Sequence, residues 1–482
     1  MHTRHSNTQR GVRRERFVIA MTTRLNLDAI ARALASRSNR RTVLKGSAAV
    51  AATGVASMAI GVRPSDAAAQ DAAKLSFWFD TTGGAETAQC LIDNIITPFN
   101  DKGGTQIEAT MQPNGWTATQ TALSGGAGPD IVVTPGPSYV VELAKAGLIL
   151  PLDDAATQYG WDKALLPWAY ELGKTGGVLY SIPDEIETLV LYYNKPLFEE
   201  NGWEVPKTMD ELITLSQTIA DAGVVPFAHG NQDWRPTNEW FVGEFMNQVA
   251  GPGSVYAALT GMQKWTDPEF VDALTKLNEM QQNGWFMGGL DRYYTSGSAD
   301  TASAFAYGDA AMKIEGTWFL SDAISYTAEA GSDWDWTPVP SKDGTPVYDI
   351  GVGSTYSINK NTKSPEAAAD FLNYYFSPET QATAVAQCGM APAPVDIPTD
   401  LLADIDPRQA RMIDALTTAS QSGDYGYTTW TFFPPKTETF IIEQIEKVWA
   451  GDMTVEEFLQ GLQETFDAEI AAGAGLPVPT RA

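Results

Sequence analysis

From Lys74 onward, short apolar runs alternate with amphipathic ones, and that rhythm restricts the chain to an α/β fold. Lys74–Asp80 reads as a strand, 86–100 as a helix and 106–111 as a second strand. A helix over 117–123, a strand at Ile131–Thr134 and a helix over 138–146 ended by Gly147 follow. The triplet Ile131-Val132-Val133 has no polar side, which suits a parallel sheet covered on both faces. After Thr188 the rhythm resumes with a strand at Leu189–Asn194 and a helix over 208–222, whose Thr208 and Glu211 form a capping box. Helical patterns fill 235–330, with later strands at Trp334–Pro338 and 354–358. Helices at 364–376 and 378–387 each begin with Ser-Pro, placing proline at its favoured first position. Residues 406–474 read as helical apart from an aromatic loop at 423–435.

Composition narrows what such a fold can do. With 14 Trp, 17 Tyr and 19 Phe in 482 residues, the chain has the material for real cores. The balance of 32 basic against 59 acidic residues, a formal charge of −27, disfavours nucleic acid and anionic membranes as partners. His2 and His5 lie at the start, which leaves His229 as the one histidine farther on. A multi-histidine metal site is excluded, and a nucleophile–His triad would rest on His229, whose setting in Phe227-Ala228-His229-Gly230 reads as structural. Two cysteines, Cys90 and Cys388, are too few for a zinc site. No metal and no cofactor are expected.

The first 69 residues carry the parts of an export signal. Asn39-Arg40-Arg41-Thr42-Val43-Leu44-Lys45 precedes a weakly apolar run from Ser47 to Val62, then Arg63 and the small-residue stretch Ala67-Ala68-Ala69. The paired arginines and the late Arg63 resemble a twin-arginine signal, with an ordinary secretory signal as the alternative. Met21 is an alternative start. No cysteine lies near the cleavage site, so an exported protein without a lipid anchor is expected. In an oxidising compartment Cys90 and Cys388 either pair or stay free; the sequence leaves both open.

A series of motifs then points to a family. Gly125-Gly126-Ala127-Gly128-Pro129-Asp130-Ile131 is followed by Leu143-Ala144-Lys145-Ala146-Gly147-Leu148-Ile149-Leu150-Pro151-Leu152. Gly176 to Pro183 leads to Leu191-Tyr192-Tyr193-Asn194-Lys195, and Phe305 to Met312 to Glu315-Gly316-Thr317-Trp318. Ser354 to Lys360 and Ser364-Pro365-Glu366-Ala367-Ala368 complete the order. Together they resemble the extracellular solute-binding proteins of family 1, the maltose-binding-protein-like carbohydrate binders of ATP-driven (ABC) importers, over about residues 74–470.

The resemblance implies a two-lobed periplasmic-binding-protein fold of type II, with a ligand cleft between lobes joined by crossover hinges. Lobe 1 would take 74–184 plus about 345–388, and lobe 2 would take 188–344. Residues 389–482 would supply C-terminal helices completing lobe 2 and the hinge region. The implied partners are a small neutral carbohydrate and the transmembrane subunits of a permease, with the protein acting as a monomer and without catalysis.

A sugar offers weakly positive C–H faces to aromatic rings and hydroxyls to carboxylates and amides, so a sugar cleft needs both on loops at strand ends. By resemblance, Trp318 and Trp430 match stacking positions and Glu187 a hydroxyl-binding carboxylate at the crossover. Trp116, on the loop after the second strand, and Asp80 with Thr81, after the first, fall where relatives touch ligand. Trp234 with Asp233, at the start of a second-lobe helix, and Tyr356, near the flexible 351–353 loop, complete the candidates. Where maltose binders carry charged residues, this chain has Thr134-Pro135-Gly136-Pro137-Ser138 and Thr81-Thr82-Gly83-Gly84, which argues against maltose itself. Only Arg235 and Lys313 among basic residues lie near the candidates.

Two other readings compete. An exported carbohydrate-active enzyme would pair carboxylates such as Asp184 and Glu187. A ferric-iron-binding relative of the fold would use adjacent tyrosines such as Tyr293 and Tyr294. Loss of residues 1–69, with 12 basic and 3 acidic side chains, would leave 20 basic against 56 acidic, a charge of −36. That balance favours a neutral or cationic solute over an anion.

Overall fold

The computed structural model describes residues 72–80, 85–113, 115–403 and 405–481; the leader, Thr81 and Asn114 lie outside them. Two sheets organise the chain. The first contains β1 (Lys74–Asp80), β2 (Gln106–Gln112) and β3 (Ile131–Thr134), all parallel, with β1 in the middle. Parallel neighbours need crossovers, and helices Glu86–Leu91, Thr97–Asp101 and Gly115–Ser124 supply them. The sheet is not parallel throughout. Two later strands, β4 (Ile182–Glu187) and β9 (Asp349–Ile358), join it, and β9 runs antiparallel to both β3 and β4.

The second sheet is mostly antiparallel. Its strands β5 (Leu189–Asn194), β6 (Val225–Phe227), β7 (Ala310–Gly316) and β8 (Trp334–Pro338) lie in the order β8-β5-β7-β6. β7 interrupts the stretch expected to be helical throughout, and all seven of its residues are buried. The predicted capping box at Thr208 and Glu211 is present, and opens helix Met209–Asp221.

Each sheet has its own apolar core. Phe77, Ile95, Ile131, Phe371, Leu372 and Val395 belong to the first; Tyr192, Phe241, Phe270, Met312, Ile441 and Phe466 belong to the second. The C-terminal helices Pro407–Ser422, Pro435–Trp449 and Val455–Ala471 thus pack with the second sheet. Residues Ala393 and Val395 still pack with the first, so the first core reaches beyond 388.

Only Thr188 separates β4 from β5, so the chain passes between sheets in one step. The return begins at Asp349, whose carboxylate accepts hydrogen bonds from Thr188 Oγ1 at 3.2 Å and the Leu189 amide at 3.5 Å. Both crossings therefore meet at one buried carboxyl. A short strand β10 (Gly426–Tyr427) pairs with the start of β9 and brings the aromatic loop to the same place. Within the first region a disulfide joins Cys90 to Cys388, with Cα atoms 5.6 Å apart. Among the described residues no helix is long and apolar enough to cross a membrane.

Candidate functional site

Strand alternation decides which residues of β4 can meet a ligand. Successive side chains on a strand point to opposite faces. Asp184 lies near Ile182 of the first core, where the hydroxyls of Tyr356 and Tyr375 hydrogen-bond it, whereas Ile186 packs with the second core. Tyr356 is itself buried, stacked on Tyr375 at 4.9 Å with their hydroxyls 2.9 Å apart. Tyr356 is thus packed in the first core, beside Asp184 and Glu185.

Glu187 lies opposite Gly351 of β9, and its carboxyl reaches over Gly353 two residues on. A Cβ at Gly353 would lie 2.1 Å from the Glu187 carboxyl carbon, so any side chain there must displace that carboxyl. Glu187 is 6% exposed, and burial first, then Glu185 and Asp184, hold its carboxyl well above the usual range. The adjacent Trp430 indole acts in the opposite direction. Glu185 has a left-handed backbone, φ +59°, a conformation costing about 1–3 kcal/mol for a residue with a side chain. Enclosure, and the charge of Asp184, push its carboxyl up to about 8, although it keeps a partly exposed surface.

Trp430, in helical turn Thr429–Phe432, and Trp318, in the 3-10 turn after β7, approach with ring centres 5.9 Å apart. Trp240 of helix Thr237–Phe245 completes the group, 4.8 Å from Trp318 and 6.5 Å from Trp430. Trp318 and Trp240 are half-buried and so present ring surface. Glu315 fixes Trp318 by accepting its indole N–H at 2.9 Å. Lys313, two residues earlier on the same face of β7, pairs with Glu315 at 2.9 Å and also donates to the Ala228 carbonyl and Thr301. Among the described residues it is the one buried lysine near the rings, and it is thereby committed.

A second carboxyl pair ties the first region to the C-terminal helices. Helix Pro137–Lys145 follows β3, and its Ser138 and Tyr139 donate to Glu438 at 2.7 and 3.3 Å. Glu239 lies beside Glu438; burial pushes Glu438 up to about 8, and burial with the Glu438 charge holds Glu239 well above its usual range. Gly136, at φ +124°, lets this helix start against the Trp430 carbonyl, where a Cβ would approach within 2.9 Å.

The remaining candidates sit elsewhere. Trp116 is half-buried, edge-on to Tyr139 at 5.2 Å, and its amide donates to Asp80 at 3.3 Å. Trp116, Asp80 and Tyr139 therefore form one patch that reaches the Glu438 pair. Asp233 accepts from the Ser298 amide and hydroxyl at 2.8 and 3.2 Å, holding the start of helix Ser298–Ala306. Trp234 is half-buried and makes no ring contact with the tryptophan group among the described residues. Arg235 grips Glu446 with two bonds, of 2.9 and 2.6 Å. Tyr293 is fully buried and donates to Asn238 at 2.8 Å, so it is not open to an iron ion. His229 is buried edge-on to Phe241 at 4.7 Å, and burial holds its pKa well below the usual value. Sequence reasoning missed Trp240, Glu239 and Glu438; the polar-aromatic triplet Asn238-Glu239-Trp240 inside an apolar helix was the available signal for the first two. A cavity of about 640 Å³ lies away from the rings, between helix Pro137–Lys145 and the C-terminal helices, beside Phe440 and Ala468.

Comparison with known proteins places this arrangement. The family model described as bacterial extracellular solute-binding protein matches residues 80–382. An alpha-glucosides-binding periplasmic protein of Rhizobium meliloti (strain 1021) is 26% identical over 312 residues, covering 59% of this chain and 65% of that one, just under two thirds. A probable sugar-binding periplasmic protein of the same organism is 23% identical over 424 residues, covering 83% of this chain and 94% of the relative. Among solved structures, a chitin oligosaccharide binding protein superposes with a TM-score of 0.69 at 20% identity, covering 84% of this chain and 100% of the other. The last comparison carries the two-lobed fold.

Proposed function

The chain belongs to the bacterial extracellular solute-binding protein family, and from that membership we propose that it captures a sugar, an oligosaccharide or a related polyol for an ABC importer. The observation that carries the reading is the meeting of Trp240, Trp318 and Trp430 with the buried Glu187 carboxyl, beside the point where the chain crosses between sheets. Rings cover the C–H faces of a sugar, and a carboxyl pairs with its hydroxyls. The names of the alpha-glucoside and sugar-binding relatives support the same ligand class.

Lobe 1 is taken as 74–184 with about 345–388, lobe 2 as 188–344, and 389–482 as helices completing lobe 2 and the hinge; two separate cores support a two-lobed division, although Ala393 and Val395 pack with the first core and Leu172, Ile350 and Val352 with the second. Ligand binding between the lobes closes them, and the closed form docks on the permease subunits. Export through a twin-arginine signal, cleavage near residue 69, the absence of a lipid anchor, a monomeric state, no nucleic acid partner and no catalytic activity belong to the same reading.

A titration of the purified protein with mono-, di- and trisaccharides tests it. A binding sugar changes tryptophan fluorescence, because three rings line the site, and raises the melting temperature. At about a hundredfold excess over Kd the stabilisation is about 2.7 kcal/mol. Neither signal with any sugar or polyol, at any concentration, would overturn the assignment.

A further inference from the structure

Both passes of the chain between the sheets meet at Asp349, and a second buried carboxyl stands beside it. Helix Thr237–Phe245 runs on into a wider helical turn, Met246–Ala250, and this one stretch grips the joint with three side chains. Asn247 donates to the Tyr427 carbonyl and accepts from the Tyr427 amide, both at 3.0 Å, which holds β10. The Gln248 amide donates to the Val347 carbonyl at 3.2 Å, just before β9, and to Glu244 Oε1 at 2.9 Å. Glu244 is the third. It and Asp349 are each the side chain that acts most strongly on the other's carboxyl.

The two residues are 0% and 1% exposed. Asp349 spends Oδ1 on Thr188 and Leu189, and Glu244 spends Oε1 on Gln248. Their remaining oxygens, Asp349 Oδ2 and Glu244 Oε2, have no hydrogen-bond donor. Two ionised carboxyls packed together out of water need a cation or a proton between them. The neighbours supply no cation. The turn Met246–Ala250 contributes Gln248, the first crossing Thr188 and β10 Tyr427. The titratable groups on the adjoining elements, Glu187 on β4, Glu239 on the same helix and Glu438 on helix Pro435–Trp449, are acids. Lys276 of helix Pro268–Gln282 is engaged by Asp210 and Asp272, Lys447 by Gln444, and Lys145 and Lys436 line the groove beside Phe440.

We propose that one proton, carried by Glu244 and donated to Asp349, locks the crossing joint, and that its loss in alkaline medium loosens both passes of the chain. Burial holds both carboxyls above their usual range; Asp349 raises Glu244 further, while Glu244 partly offsets the rise at Asp349, as expected of a donor and its acceptor. A pKa raised on folding gives stability that is full below the unfolded carboxylate range and is lost as pH rises through the folded value. The lock does not depend on which solute is captured, so the ligand-free protein tests it.

Infrared difference spectra of that protein at neutral pH, wild type against Glu244→Gln and against Asp349→Asn, read the proton directly. Each variant should lose one carboxylic-acid band, because either new amide donates to the carboxylate that remains. A full set of acid bands in either variant would overturn the shared proton. Hydrogen exchange on peptides spanning Thr188 and Asp349 reads the lock. Between neutral pH and about pH 9, exchange corrected for its intrinsic rate should rise about tenfold more in wild type than in Glu244→Gln. The rise is compared rather than the level, so a variant that is merely less stable does not imitate the result. Equal rises in the two proteins would overturn the lock.

Discussion

Glu315 and Glu187 end two strands that lead to the same tryptophans, yet they are held in opposite ways. Glu315 has a buried lysine at 2.9 Å and spends its other oxygen on the Trp318 indole. Glu187 has no cation paired with it among the described residues, and its carboxyl lies over a glycine beside the Trp430 indole. A buried ion pair of good geometry is a fixed part of a structure, whereas a buried carboxyl without a counter-charge is costly unless something else uses it. The first aims a ring. The second, on the reading proposed above, is the one a ligand would use.

The sharpest way to break this contrast is to remove the lysine. Lys313→Met would strand the Glu315 charge in the second core and should cost about 3–5 kcal/mol in urea unfolding, with much of the loss recovered in Lys313→Met/Glu315→Leu. A cost below about 1 kcal/mol would mean that the pair is not structural. Next in size is Gly353→Ala, whose methyl must displace the Glu187 carboxyl. Affinity for whichever sugar binds should fall about tenfold to a hundredfold, about 1.4–2.7 kcal/mol, in a fluorescence titration. Unchanged affinity would show that the carboxyl need not sit where it does.

The pH dependence follows from the same difference. Glu185 and Glu187 have pKa values raised in the folded state, so their contribution is most favourable below the unfolded carboxylate range and is lost as pH rises through the folded values, about 8 for Glu185. The ligand-free melting temperature should fall over that window, at about 2–4 °C per kcal/mol, and Glu187→Gln should flatten the fall. A melting temperature that rises from the carboxylate range to about pH 8 would contradict it. The smallest effect is expected for Trp318→Phe, which loses one bond to a carboxylate that keeps its lysine, about 1–2 kcal/mol.

How far the sequence revealed this differs by residue. Trp318, Trp430 and Glu187 were recognisable because motif position and residue chemistry coincide. Strand β4 was not, since Pro183 and three nearby acids obscure an alternation that becomes apparent only once β9 pairs with it. Strand β7 was hidden for a related reason. Lys313 and Glu315 look like surface charges, although opposite charges two residues apart on one face are also what a buried pair requires. The Ser138–Glu438 bond joins residues 300 positions apart, and no local pattern encodes which partner a buried carboxyl will meet. Trp240 lay inside a helix buried almost all round, where a tryptophan reads as filling.

The Cys90–Cys388 bond closes a ring of chain that contains the whole second sheet, its ends 298 residues apart in sequence but both anchored in the first core. The second sheet is therefore carried as a loop on a covalent clasp between residues of the first core. A single proteolytic cut anywhere inside the ring would leave one molecule, still joined across the cut, until a reductant opened the clasp. In a medium that contains proteases, that geometry lets a nicked binding protein hold its two halves together.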